Sequence, residues 1–93
     1  MTTKTAVATS TGPIDMFNKK FLFSVINGSK SADSQMTNVD KLWKAIMMAP
    51  DSETMKKGKP LIENKNHMIQ ILKTLADETL IMYVPEDGNV VML

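Results

Sequence analysis

His67 is the only histidine in the chain, and there is no cysteine. Nucleophilic catalysis requires a hydroxyl or thiol beside an oriented base. Here no thiol exists, and the serines stand in loop-like stretches outside any Gly-x-Ser-x-Gly elbow. A lone histidine near a helix start reads as a surface or capping residue. The four glycines, at 12, 28, 58 and 88, are too scattered for a phosphate-cradling loop, and Gly58-Lys59-Pro60 lacks the rest of a Walker pattern. Metal ligation has no His or Cys pair and no Asp-x-Asp-x-Asp-Gly loop to use. The neighbouring carboxylates Glu86 and Asp87 read as a solvated turn. No catalytic residue, metal or cofactor is expected, and the chain reads as a binding protein rather than an enzyme.

The polar residues that could recognise a macromolecule cluster in one region. Asn66, Gln70, Lys73, Thr74 and Asp77 recur at three- and four-residue steps, a polar stripe on one face of a helix. Asn and Gln can make bidentate contacts to adenine, and Lys can reach guanine or phosphate. Lys56, Lys57, Lys59 and Lys65 lie just upstream and could hold a phosphate backbone. Against this, all eleven basic residues are lysine, and arginine is the side chain that forks onto guanine and phosphate. Residues 54–74 hold five lysines against one glutamate, whereas residues 75–93 hold four carboxylates and no base. The overall charge is only +1, so no extended basic coat for non-specific nucleic-acid binding is present.

These residues must be positioned by a small domain. Ninety-three residues with 43% hydrophobic side chains allow a single core near the lower size limit for independent stability. The first dozen residues offer little to bury, so residues 1–12 are expected to be a disordered tail ahead of one domain over 13–93. They have no apolar core of a secretory leader, and no run approaches the ~20 apolar residues of a membrane span. With no cysteine, a reducing, cytoplasmic setting is expected. Asn27-Gly28-Ser29, although a glycosylation sequon, reads as a turn.

Phe17, Phe21, Leu22, Val25 and Ile26 follow helical spacing after Asp15, a capping residue, and Asn27-Gly28 would supply a left-handed stop. A strand over Phe21–Ile26 competes with that helix. Residues 28–36 read as a loop with a short strand or turn. Thr37 stands three before Asp40 as a capping-box-like start to a second helix. Its apolar face comprises Val39, Leu42, Trp43, Ile46 and Met47, with Trp43 as core anchor, an Asp40–Lys44 pair opposite, and Pro50 as stop. Residues 50–60 read as an exposed connection. A third helix begins near Pro60, Asn64 or Asn66 and runs to about Glu78, with Met68, Ile69, Leu72, Leu75 and Ala76 inward. Leu80–Val84 and Asn89–Leu93, flanking Pro85-Glu86-Asp87-Gly88, predict a hairpin.

The expected fold is therefore α+β: three helices and a carboxy-terminal β-hairpin, an element order that resembles a winged helix. The stretch Leu72–Ile81 resembles a recognition helix running into the wing, although the connection after the second helix is longer than a tight helix-turn-helix turn. The resemblance, together with the small size and the absence of arginine and cysteine, points to two functions. The first is a small accessory or regulatory protein, such as a viral or phage-type factor, that docks another protein. The methionines suit this, since methionine adapts to varied surfaces, and an exposed Met48 or Val91 patch would mark a partner site or a homo-oligomer. The alternative is a DNA-binding regulator that reads bases with its third helix.

Overall fold

The computed structural model describes residues 13–93. The expected amino-terminal tail, residues 1–12, lies outside the described residues. The first ordered signal is Asp15, whose carboxylate accepts hydrogen bonds from the backbone N–H of Phe17 at 2.9 Å and of Asn18 at 3.0 Å. Asn18 answers by accepting from the Asp15 N–H at 2.9 Å, a reciprocal capping box that satisfies orphan donors at a helix start. Helix α1 (Met16–Ser29) follows and buries Leu22 and Ile26. Helix, not strand, is what forms over Phe21–Ile26. Phe17 remains 53% exposed, while Phe21 and Val25 are half-buried, so the inward face is narrower than the spacing implies. Gly28 does not end the helix, because its φ is not positive. The Lys30 N–H closes the last turn onto the Ile26 carbonyl at 3.0 Å from an extended backbone, so no left-handed residue is needed. The Asn27-Gly28-Ser29 turn is thereby corrected to helix.

Strand β1 (Met36–Asn38) runs directly into helix α2 (Val39–Met48). The cap is Asn38, whose side chain accepts from the Lys41 N–H at 2.9 Å, and not Thr37. Thr37 belongs to the strand and points inward, so its hydroxyl cannot turn back to the helix. Among the described residues that buried hydroxyl has no hydrogen-bond partner. Thr37→Val keeps the branched shape and removes an unsatisfied polar group. It is expected to raise stability by about 1 kcal/mol, read as a higher urea midpoint at unchanged m-value.

Helix α2 buries Val39, Leu42 and Ile46. Trp43 is only half-buried at the margin of the core and Met47 is 68% exposed. Asp40 does not pair with Lys44 but with Lys65, at 2.9 Å, because the third long helix begins beside the first turn of α2. After Pro50 the connection is ordered. A single turn α3 (Asp51–Thr54) leads into a miniature hairpin of β2 (Met55–Lys56) and β3 (Lys59–Pro60). Its two-residue turn, Lys57-Gly58, has φ of +54° and +76°, as a type I′ turn demands.

Asn64 caps helix α4 (Lys65–Asp77) by accepting from the His67 N–H at 2.8 Å. The buried stripe is His67, Met68, Ile71, Leu72 and Leu75. Ile69 and Ala76, expected inward, are half-buried, and Ile71 takes the central place. His67 lies on this buried stripe, 1% exposed. Its Nδ1 accepts from the Glu63 N–H at 3.0 Å, and its Nε2 lies 3.0 Å from the Pro13 carbonyl. A carbonyl only accepts, so this assigns the ring hydrogen to Nε2. The surface or capping role expected of His67 is thus replaced by a buried one.

Thr79, at φ +60°, turns the chain from α4 into β4 (Ile81–Val84), which forms the expected hairpin with β5 (Asn89–Met92). The three strands make one antiparallel sheet in the order β1-β5-β4. Val39 at the head of α2 donates to the Gly88 carbonyl at 2.8 Å, tying the hairpin turn to the helices. The core lies between one face of the sheet and the three long helices, built on Leu22, Ile26, Leu42, Leu72, Ile81 and Val90. Among the described residues, no helix is long and apolar enough to cross a membrane.

Candidate functional site

The residues expected to bind a macromolecule separate into two places. On α4, Asn66 and Lys73 are exposed and Gln70 is half-buried. Thr74 is also half-buried, and its hydroxyl donates to the Gln70 carbonyl at 3.0 Å, so it serves its own helix. Lys65 is held by Asp40 of α2, Asp77 adds a further exposed carboxylate to the same helix, and Glu86 and Asp87 are exposed at the hairpin tip. This face is mixed in charge. The remaining lysines stand elsewhere. Lys56, Lys57 and Lys59 are exposed on the β2–β3 hairpin, over a pocket of about 420 Å³ that also includes Phe17 and His67. The Lys56 ammonium lies 3.4 Å from the centroid of the Phe17 ring, a cation–π distance. Lys65 and Lys73 are not among the residues that line this pocket.

A third feature is made by the sheet. Strand pairing sets Thr37, Val90 and Tyr83 in one cross-strand row and Met36, Val91 and Met82 in the next. Neighbouring rows face opposite sides. Thr37 and Val90 are buried, so the second row faces away from the core. Met36 is 37% and Met82 51% exposed on it. An antiparallel sheet covered on one side ordinarily carries polar residues on the other. Here the outward face is apolar down its centre, with Val84 of β4 beside it and Asn38 and Asn89 as its polar neighbours. Val91, one of the two markers that would point to a partner site, is half-buried at the centre of this row, and the exposed members are the two methionines. The other such marker, Met48, is 76% exposed beside Met47 at the end of α2. The sequence does hold a signal for the sheet face, because Ile81-Met82-Tyr83-Val84 and Val90-Val91-Met92 lack the polar alternation of a half-solvated strand. What it lacks is the register that gathers them.

An apolar groove of about 450 Å³ lies between α1 and the end of α4, with Met16, Phe23, Leu75 and Leu80 along it. Lys19 and Glu78 close one side as an ion pair at 2.7 Å. His67, the single histidine, has both ring nitrogens engaged, Nδ1 by the Glu63 N–H ahead of α4 and Nε2 by the Pro13 carbonyl at the α1 entry. Searches for a matching family model, a matching curated protein and a matching solved structure returned none.

Proposed function

We propose that this chain is a non-enzymatic, winged-helix-like binding domain, an accessory or regulatory module of the cytoplasm that docks another protein through the outward face of its sheet. The observation that carries this reading is the apolar row Met36–Val91–Met82. Burying such a row against a partner contributes about 25 cal/mol per Å², whereas leaving it in water gains nothing for the fold. The strand order β1-β5-β4, with β1 between α1 and α2 and a terminal hairpin in the place of a wing, supports the winged-helix comparison. The structural role of His67 supports a non-enzymatic one. DNA reading through α4 has less support, since Lys65 is paired, Asp77 lies on the same helix, and the hairpin tip carries two carboxylates that a phosphate backbone repels.

The test is site-specific photo-cross-linking in cells, with a photo-reactive phenylalanine at position 82 or at position 73. Protein adducts are expected from position 82. Met36→Lys, which places a charge in the same outward row, is expected to cut their yield roughly tenfold or more. Its melting temperature should stay within a few degrees of the parent, because the side chain is exposed. Nucleic-acid adducts from position 73, with none from position 82, would overturn the proposal.

A further inference from the structure

The β2–β3 hairpin is built against its own electrostatics. Lys56 and Lys59 are direct cross-strand partners, an arrangement in which like charges repel. Lys57, between them, is held at φ +54°, a backbone region that costs a lysine about 1 kcal/mol or more. Six residues of chain thus carry three lysines along one pocket, and among the described residues none of the three forms an ion pair. A turn that sets a lysine rather than asparagine or glycine at a positive φ, between two further lysines, is a place to look for function.

What the lysines overhang is also specific. The pocket beneath them presents Phe17, a large aromatic left 53% exposed at the start of α1. A lysine cluster beside an accessible aromatic ring is the combination that holds single-stranded nucleic acid, with the cations on the phosphates and the ring against a base. The two carboxylates of the pocket, Asp15 and Glu63, do not cancel the field. Asp15 is engaged by two backbone N–H groups of α1, and three cations stand against two anions.

We propose that Phe17 with Lys56, Lys57 and Lys59 forms a binding site for a short single-stranded nucleic-acid segment. A base stacks on Phe17 in the place now taken by the Lys56 ammonium, which moves to a phosphate alongside Lys57 and Lys59. The site lies away from the sheet face and does not depend on the protein-docking reading.

The experiment is fluorescence anisotropy of a labelled ten-residue oligothymidine, titrated with the full chain at several salt concentrations. Binding in the range of about 10⁻⁴–10⁻⁶ M is expected. Three phosphate contacts on a single strand predict a slope of log K against log salt near −2, or roughly 15-fold weaker binding at 200 than at 50 mM salt. The triple variant Lys56→Gln, Lys57→Asn, Lys59→Gln is expected to abolish binding at moderate salt while melting like the parent, since asparagine tolerates the positive φ. Phe17→Leu is expected to weaken binding about fivefold or more. Lys65→Gln with Lys73→Gln on α4 should leave it within about twofold. The proposal is overturned if no binding appears at 50 mM salt, if the α4 pair rather than the hairpin triple carries it, or if Phe17→Leu has no effect. It is equally overturned if a duplex of the same length binds as tightly or poly-glutamate competes as well as the oligonucleotide. The cross-linking at position 82 is unaffected by any of these outcomes, so the two readings fail separately.

Discussion

Leu72→Ala is expected to lower the unfolding free energy by about 2–5 kcal/mol, a large part of the ~5–15 kcal/mol that holds a small domain folded. Leu72 has no exposed surface and sits in the centre of α4, facing the core that α1, α2 and the sheet close over. Truncating it leaves a cavity that three long helices and a short sheet cannot collapse into, since each is anchored elsewhere by caps and strand pairing. Trp43→Ala, in contrast, is expected to cost only about 2 kcal/mol. Trp43 is the larger side chain, but it is half-buried and packs on the margin of the core, so part of its surface is already in water. Urea unfolding followed by far-ultraviolet circular dichroism measures both, and avoids relying on the fluorescence of the residue removed. A larger loss for Trp43 than for Leu72 would show that α2, not α4, holds the centre of the domain.

The second large effect is expected at His67. Its ring bridges the Glu63 N–H and the Pro13 carbonyl, and it is 1% exposed. His67→Leu fills much of the same space but leaves the Glu63 N–H without its acceptor, a loss of about 1–3 kcal/mol. His67→Ala adds a cavity and is expected to cost about 2–4 kcal/mol. The Pro13 carbonyl keeps one donor in either variant, because Asn18 Nδ2 also reaches it at 2.8 Å. Removing Asn18 and His67 together strips that carbonyl of both donors named here. The double variant Asn18→Ala, His67→Ala is therefore expected to lose more than the sum of the single losses, by about 0.5 kcal/mol or more. Strict additivity would show that the two side chains act on separate parts of the fold. Loss of the His67 bonds should also speed hydrogen exchange at the Glu63 amide before it affects the middle of α4.

Local features were legible in the linear chain because they are decided by neighbours. Asp15 and Asn64 cap helices since a side-chain oxygen two or three residues from an orphan N–H reaches it without help from the rest of the protein. Pro50 ends α2 for an equally local reason. The terminal hairpin follows from two β-prone runs and a turn closing on Gly88, at φ +73°. The Val39, Leu42, Ile46 face of α2 follows from spacing alone. The small β2–β3 hairpin was legible in principle, since Lys57-Gly58 sits between two short extended pairs, but the density of lysine, glycine and proline around it reads first as loop.

Other features depend on residues far apart in the chain, and no local rule supplies them. His67 is buried with a partner that no local pattern names, the carbonyl of Pro13, 54 positions away. Asp40 leaves Lys44 for Lys65 because α2 and α4 meet at their first turns. Of the five lysines that lie close in sequence, a miniature hairpin carries three to the pocket beside Phe17, while Lys65 on α4 meets Asp40 of α2. The apolar row Met36–Val91–Met82 exists only through register. A side chain's face on a strand alternates with every residue, so a one-residue slip in the β1–β5 pairing would send Met36 inward and Thr37 out. The sequence by itself therefore determined that three long helices and a terminal hairpin form, and the caps at Asp15 and Asn64 among them, since capping, turn chemistry and periodicity act over a few residues. Which side chains share a surface, and so what the protein can bind, was decided only when packing selected one rotation for each helix and one register for the sheet.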